Sequence, residues 1–252
     1  MSEARPLAPA AAIRECRVAL AARGGSIVGE ATEGAAAIAD WRHYPDGEIY
    51  DPESHAQYFY HRHPQREPRE HGHFHLFLRT QGIPPGITPL LLPELAVANV
   101  AVAPQAAPVR QGQADEVCHL IAIAVDGRGE PIRLFTTNRW VTGETWYRAD
   151  DVVRMLDRFR FGGRSRHDLL NCWVVAVVQL FRPQIEQLLR QRDDTVMAWR
   201  RRRRSHVFDD QRLEVVSSVE VDLDAQLAAA EMRPARRRRG PSLPRMAEGW
   251  VE

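Results

Sequence analysis

The chain has 252 residues, 44% hydrophobic and 27% charged, with a formal net charge of +1. That size and balance suit a soluble globular protein able to bury a real core, and the net charge draws it to no acidic or nucleic-acid partner. All 34 basic side chains are arginine, which excludes a phosphate-loop lysine, a Schiff-base lysine, a lysine general base and the usual kinase lysine.

Residues 1–10 read as a disordered N-terminus without the apolar stretch of a signal peptide. Residues 11–23 fit a helix that stops at Gly24-Gly25. The stretch 41–55 is rich in turn residues, with Pro45-Asp46-Gly47 a turn candidate. Residues 56–63 and 71–79 read as strands, the second with Phe74, Leu76 and Leu78 on its core side. A proline-rich connection over 80–115, with a short helix at 90–99, is long enough to act as a lid or wrap a site. Strands at 117–125 and 131–137 flank the turn Asp126-Gly127-Arg128-Gly129. Helices follow at 149–159, 166–181 and 183–203, then a return strand within 212–222 and a short helix to 231. The longest apolar run, 169–181, is about 13 residues and too short for a bilayer span. Together these predict an α+β fold: an antiparallel sheet of about four to five strands with helices packed on one face. Residues 11–231 form a single domain, and 232–252 a flexible Arg-rich tail. Cys16, Cys118 and Cys172 are far apart, with no C-x-x-C pair, so zinc-finger and thioredoxin readings fail and a reducing cytoplasm is expected.

Five histidines fall between positions 61 and 75: His61 and His63, then His71, His73 and His75. On strands, residues two apart share a face, so a hairpin of 56–63 with 71–79 crowds up to five imidazoles together. A core gains nothing from that many polar rings, each needing its own partner. Imidazoles aimed one way from a rigid scaffold are what zinc, iron, copper or nickel requires, and three of them leave a position open for chemistry. His61, His63, His71, His73 and His75 are therefore the candidate ligands for a divalent transition metal, zinc or iron. Glu70 is the candidate base, with Glu67, Asp46, Glu48 and Asp51 as further nearby carboxylates. His119 shares parity with Ile121 and Ile123 and reads as a core histidine, unless its strand neighbours 71–79 and brings it to the cluster.

The string His71-Gly72-His73-Phe74-His75-Leu76-Phe77-Leu78 resembles the alternating motif of histidine-triad nucleotide hydrolases and transferases. That resemblance implies a metal-free reaction in which His73 attacks phosphorus and His71 and His75 flank the phosphate; the absence of lysine does not exclude it, since the guanidinium of Arg79 or Arg139 suits a phosphate. Across roughly residues 40–225, the segments YFYHRHP, EHGHFHLFLR and HLIAIAVDGRGEPIRLFTTNRWVTGE resemble an uncharacterised bacterial domain family of unknown function, which implies one domain and no activity.

The loop 136–146 gathers hydroxyls, Asn138, Arg139, Trp140 and Trp146 after a strand end. It reads either as a ligand contact through Arg139 and Trp140 or as an anchored hairpin-to-helix connection. The runs Arg200–Arg204 and Arg236–Arg239 are mostly solvated faces, with weak nucleic-acid contact through the second. Three functions follow in order: a metal-dependent enzyme on a small molecule, a metal-free phosphoryl or nucleotidyl enzyme using His73, and a non-catalytic metal-binding or structural protein.

Overall fold

Side-chain alternation along the strands divides this molecule into two chemistries, one on each face of a sheet. The computed structural model describes residues 8–64, 67–90, 116–162, 165–203 and 206–232. Six antiparallel strands meander in the order β1-β2-β3-β4-β5-β6: β1 Tyr44–Tyr50, β2 Ala56–His61, β3 Gly72–Arg79, β4 Val117–Val125, β5 Pro131–Thr137 and β6 Val215–Glu220. Among the described residues seven α-helices accompany them: α1 Pro9–Ala21, α2 Ile27–Ala31, α3 Arg139–Thr142, α4 Ala149–Met155, α5 Asp168–Leu180, α6 Arg182–Arg203 and α7 Leu223–Met232. The expected helix at 90–99, most of the proline-rich connection, residues 1–7 and the tail with Arg236–Arg239 lie outside the described residues. Helix α1 starts at Pro9, ahead of the predicted position 11, because proline suits the first turn, where its missing N–H is not needed.

The α+β expectation holds, with one strand more than predicted. The addition is β1, which the turn residues Pro45, Asp46 and Gly47 concealed. Its pairing with β2 is interrupted between Tyr44 and Ile49, and as an edge strand it tolerates a proline. One face of the sheet carries Tyr58, Tyr60, Phe74, Leu76, Leu78, Ile121, Ile123 and Leu134, packed into a single core with Ile13 of α1, Trp173, Val174 and Val177 of α5, and Ile185 and Leu189 of α6. Burial of such side chains at about 25 cal/mol per Å² of apolar surface is the main force holding helices to sheet. No helix among the described residues is long and apolar enough to cross a membrane.

The opposite face follows from register. Phe59 pairs with His75 and His61 with His73 across β2 and β3. His73 and His75 face Ala124 and Ala122 of β4, which in turn face Arg133 and Phe135 of β5. The pairing of β3 with β4 slips between Leu76 and Phe77, so that Leu76 meets Ile121 and Phe77 meets His119, leaving Leu120 as the extra residue. Such a bulge inverts the parity of everything beyond it. His119 therefore leaves the face of Ile121 and Ile123, where simple alternation placed it, and joins the histidines.

Candidate metal centre

His61, His63 and His73 each present a ring nitrogen to one point, and the three nitrogens lie within 4.8 Å of one another. His61 and His73 are fixed by strand pairing, and their Nε2 atoms stand 2.8 Å apart. Ligands of a tetrahedral zinc at about 2.0–2.1 Å have nitrogens roughly 3.3 Å apart, so a small spreading of these rings admits an ion. His63 lies just past the end of β2 and closes the group from the side, its ring edge-on to His61 at 5.7 Å and to His73 at 5.1 Å between centroids. These residues could hold a metal ion.

Behind His73 stands a carboxylate. Glu70 Oε1 is 2.6 Å from His73 Nδ1, and its Oε2 accepts from Arg133 at 2.5 Å. The Arg133 guanidinium rests 4.4 Å above the Phe135 ring. Burial acts to raise the Glu70 pKa, but the hydrogen bonds and charges of His73 and Arg133 outweigh it and hold the carboxyl below its ordinary value. An ionised Glu70 takes the Nδ1–H of His73 and leaves Nε2 as a lone pair aimed at the centre, the arrangement that orients metal-binding histidines. Both Glu70 oxygens are thereby engaged, so it is placed behind a ligand and not open to a substrate. Burial lowers the pKa of His73 against the pull of Glu70, and drives His61 down to about 2 with help from His73, His43 and His63. His61 and His73 are therefore neutral near pH 7, the form that binds metals.

Around this group lie further imidazoles. His75 is 4.9 Å from His73 and 5.1 Å from His61 by centroid, and its Nδ1 is 3.1 Å from His119 Nε2. Burial pushes His119 down to about 3, with Arg192 and His73 adding to it. His43 stacks on Phe59 at 3.6 Å, meets His61 edge-on at 5.5 Å, and holds Glu48 Oε1 at 2.8 Å through Nδ1. Glu48 also accepts from Gln57, which accepts from Arg79 Nε at 2.5 Å, so a chain of polar side chains runs along this face. His43 and Arg133 were not singled out from the sequence. Arg133 becomes visible only when β5 is registered on β4, and His43 only when 44–50 is recognised as a strand.

Of the predicted ligands, His61, His63, His73 and His75 are brought together and His71 is not. Its ring stacks on Tyr60 at 6.3 Å and its Nδ1 lies 2.6 Å from the Tyr60 hydroxyl. Tyr60 belongs to the helix-covered face, so His71, one residue before β3, escapes the strand alternation. Gly72 permits this: a Cβ there would stand 2.6 Å from the His61 carbonyl oxygen and closer still to the Tyr60 hydroxyl. The alternating string 71–75 thus does not set three rings around one point, and the histidine-triad resemblance finds no counterpart in this arrangement.

The other carboxylates have local work. Asp46 pairs with Arg42 at 2.6 Å, Asp51 accepts from the backbone of Glu53, Ser54 and Gly162, and exposed Glu67 lies 3.9 Å from Arg69. The loop after β5 is anchored to the segment before β6. Trp140 Nε1 donates to the Leu213 carbonyl at 3.0 Å, Arg139 binds Asp209, and Asn138 donates to the Val207 carbonyl at 2.7 Å. Arg139 and Trp140 thus both make contacts within the chain. Arg201, Arg202 and Arg203 are exposed at the C-terminus of α6, where positive charge is favoured by the negative end of the helix dipole.

Comparison with curated proteins and with solved structures found no match. A family model does match, over residues 7–221, described as a domain of unknown function (DUF6969). It reaches back through α2 and α1, beyond the 40–225 span read from the sequence, and covers every strand of the sheet. The chain belongs to this family, a domain of unknown function.

Proposed function

We propose that this chain is a metal-dependent enzyme acting on a small molecule, with zinc or iron held by His61, His63 and His73. One observation carries the reading: three imidazole nitrogens converge within 4.8 Å, and the most buried ring is backed by a carboxylate. Imidazole nitrogens suit either metal, and three of them leave a coordination position for substrate or water. A bound ion there supplies Lewis acidity, polarising a substrate oxygen or lowering the pKa of a water. The protein's own residues do the rest. Glu70 fixes the tautomer of His73 and Arg133 fixes Glu70, so Glu70 is a positioning residue in place of the general base read from the sequence. Phe59, Phe135, Ala122 and Ala124 make the surroundings apolar, which strengthens every charge interaction at the centre. A reducing, cytoplasmic setting belongs to the proposal, and the three free cysteines suit it.

The test uses chelator-stripped, untagged protein loaded with Co²⁺ and titrated with azide. A visible-band change on adding azide supports an open, catalytic position. Tight Co²⁺ binding with no response to azide favours a closed, structural ion, and no Co²⁺ uptake overturns the metal reading.

A further inference from the structure

We infer that Trp41 is a positioning residue of this centre, holding the His63 ring by stacking where no hydrogen bond does so. The inference rests on the metal reading above and adds a residue to it. His61 and His73 are set by strand register, and His73 also by Glu70. His63 has neither aid: it lies beyond β2, and among the described residues no hydrogen bond to its ring is found. A metal-binding histidine ordinarily gains its orientation from a partner on its second nitrogen. At His63 the indole of Trp41 takes that place, with ring centroids 4.8 Å apart and planes inclined by 14°.

The backbone is arranged to keep it there. The Trp41 N–H donates to the Arg62 carbonyl at 2.7 Å, and Arg62 Nε donates to Asp40 at 2.8 Å. Asp40-Trp41 is thus clasped to Arg62-His63. Trp41 has φ 66°, the left-handed region that a bulky side chain rarely enters. Its side chain is also 65% exposed, so burial does not compensate for that conformation. Its ring contact is His63. A strained, exposed tryptophan stacked on a ring that has only edge contacts from His61 and His73 besides, and no hydrogen bond among the described residues, makes sense if that ring must be presented in one direction.

Trp41→Ala should lower Co²⁺ affinity about tenfold, in the range seen when partners of metal ligands are removed. It should also alter the Co²⁺ visible bands and leave the melting temperature of the metal-free protein unchanged. Trp41→Phe, which keeps a stacking ring, should restore most of the affinity and the spectrum. A purely structural role would shift melting and leave the spectrum of the bound ion alone. Wild-type affinity and spectrum in Trp41→Ala overturn this inference while the metal reading stands. A wild type that takes up no Co²⁺ overturns both.

Discussion

The two faces of the sheet are made from the same six residues of β2 and eight of β3, yet they do opposite work. On the helix side, Tyr58, Tyr60, Phe74, Leu76 and Leu78 join the packed core. On the other side, one position away each time, stand Phe59, His61, His73, His75 and Phe77. Both faces are buried, so burial does not distinguish them; their chemistry does. A side chain on the first face gives its area to stability. A ring on the second is buried at a cost unless it has a partner. Polar side chains and neighbouring imidazoles supply those partners, and the cost is tolerated where the rings have a job.

That contrast can be broken one face at a time. The largest effect should come from the helix side. Phe74→Ala should lose about 3–5 kcal/mol of unfolding free energy, read by urea denaturation, while the folded fraction still takes up metal in full. A loss below about 1 kcal/mol would mean that this face does not carry the core.

Acid should attack the other face. His61 and His119 have folded pKa values of about 2 and about 3 against an ordinary 6.5, and that of His75 also lies well below it. The unfolded chain therefore binds more protons below pH 6.5, and stability falls as pH drops through that value. At about 1.4 kcal/mol per unit, His119 alone removes roughly 2 kcal/mol between pH 6.5 and pH 5. Glu144 acts in the opposite sense. Burial raises its pKa to about 7, so its contribution is full at low pH and is lost as pH rises from 4.5 towards 7. It offsets about one ring, and Glu144→Gln should make the acid sensitivity of the metal-free protein steeper. Denaturation midpoints that do not move between pH 7 and pH 5 would argue that these rings are not held neutral.

The partner of His73 offers a sharper probe. Glu70→Gln should weaken metal binding about 10- to 100-fold and lower the urea midpoint as well, since Arg133 loses its carboxylate partner. Equal affinity would remove Glu70 from the site. The smallest effect should fall outside both faces: Trp140→Phe loses one hydrogen bond to Leu213, worth about 1 kcal/mol, and leaves metal uptake untouched. A drop in uptake would return the loop after β5 to the site.

How far the sequence reached also divides by face. Helices α4 to α6, the hairpin β4–β5 and the core side of β3 were legible because apolar periodicity reports packing directly. The cluster of His61, His63, His73 and His75 was legible because parity alone puts alternate residues together. The rest needed distances between strands. His119 depended on a bulge at Leu120 that no local pattern announces, and Arg133 on the register of β5 against β4. His71 departed because Gly72 lets the chain approach Tyr60, a contact set by the opposite strand. β1 was hidden because Pro45, Asp46 and Gly47 are tolerated in an edge strand as readily as in a turn.

Whether His61, His63 and His73 hold a metal ion is decided by elemental analysis of purified, untagged protein beside its His73→Ala variant. About one zinc or iron per chain is expected in the wild type, and its loss in a variant that still folds. A folded wild type without bound metal, or a variant that retains the full complement, would contradict a metal centre at these residues.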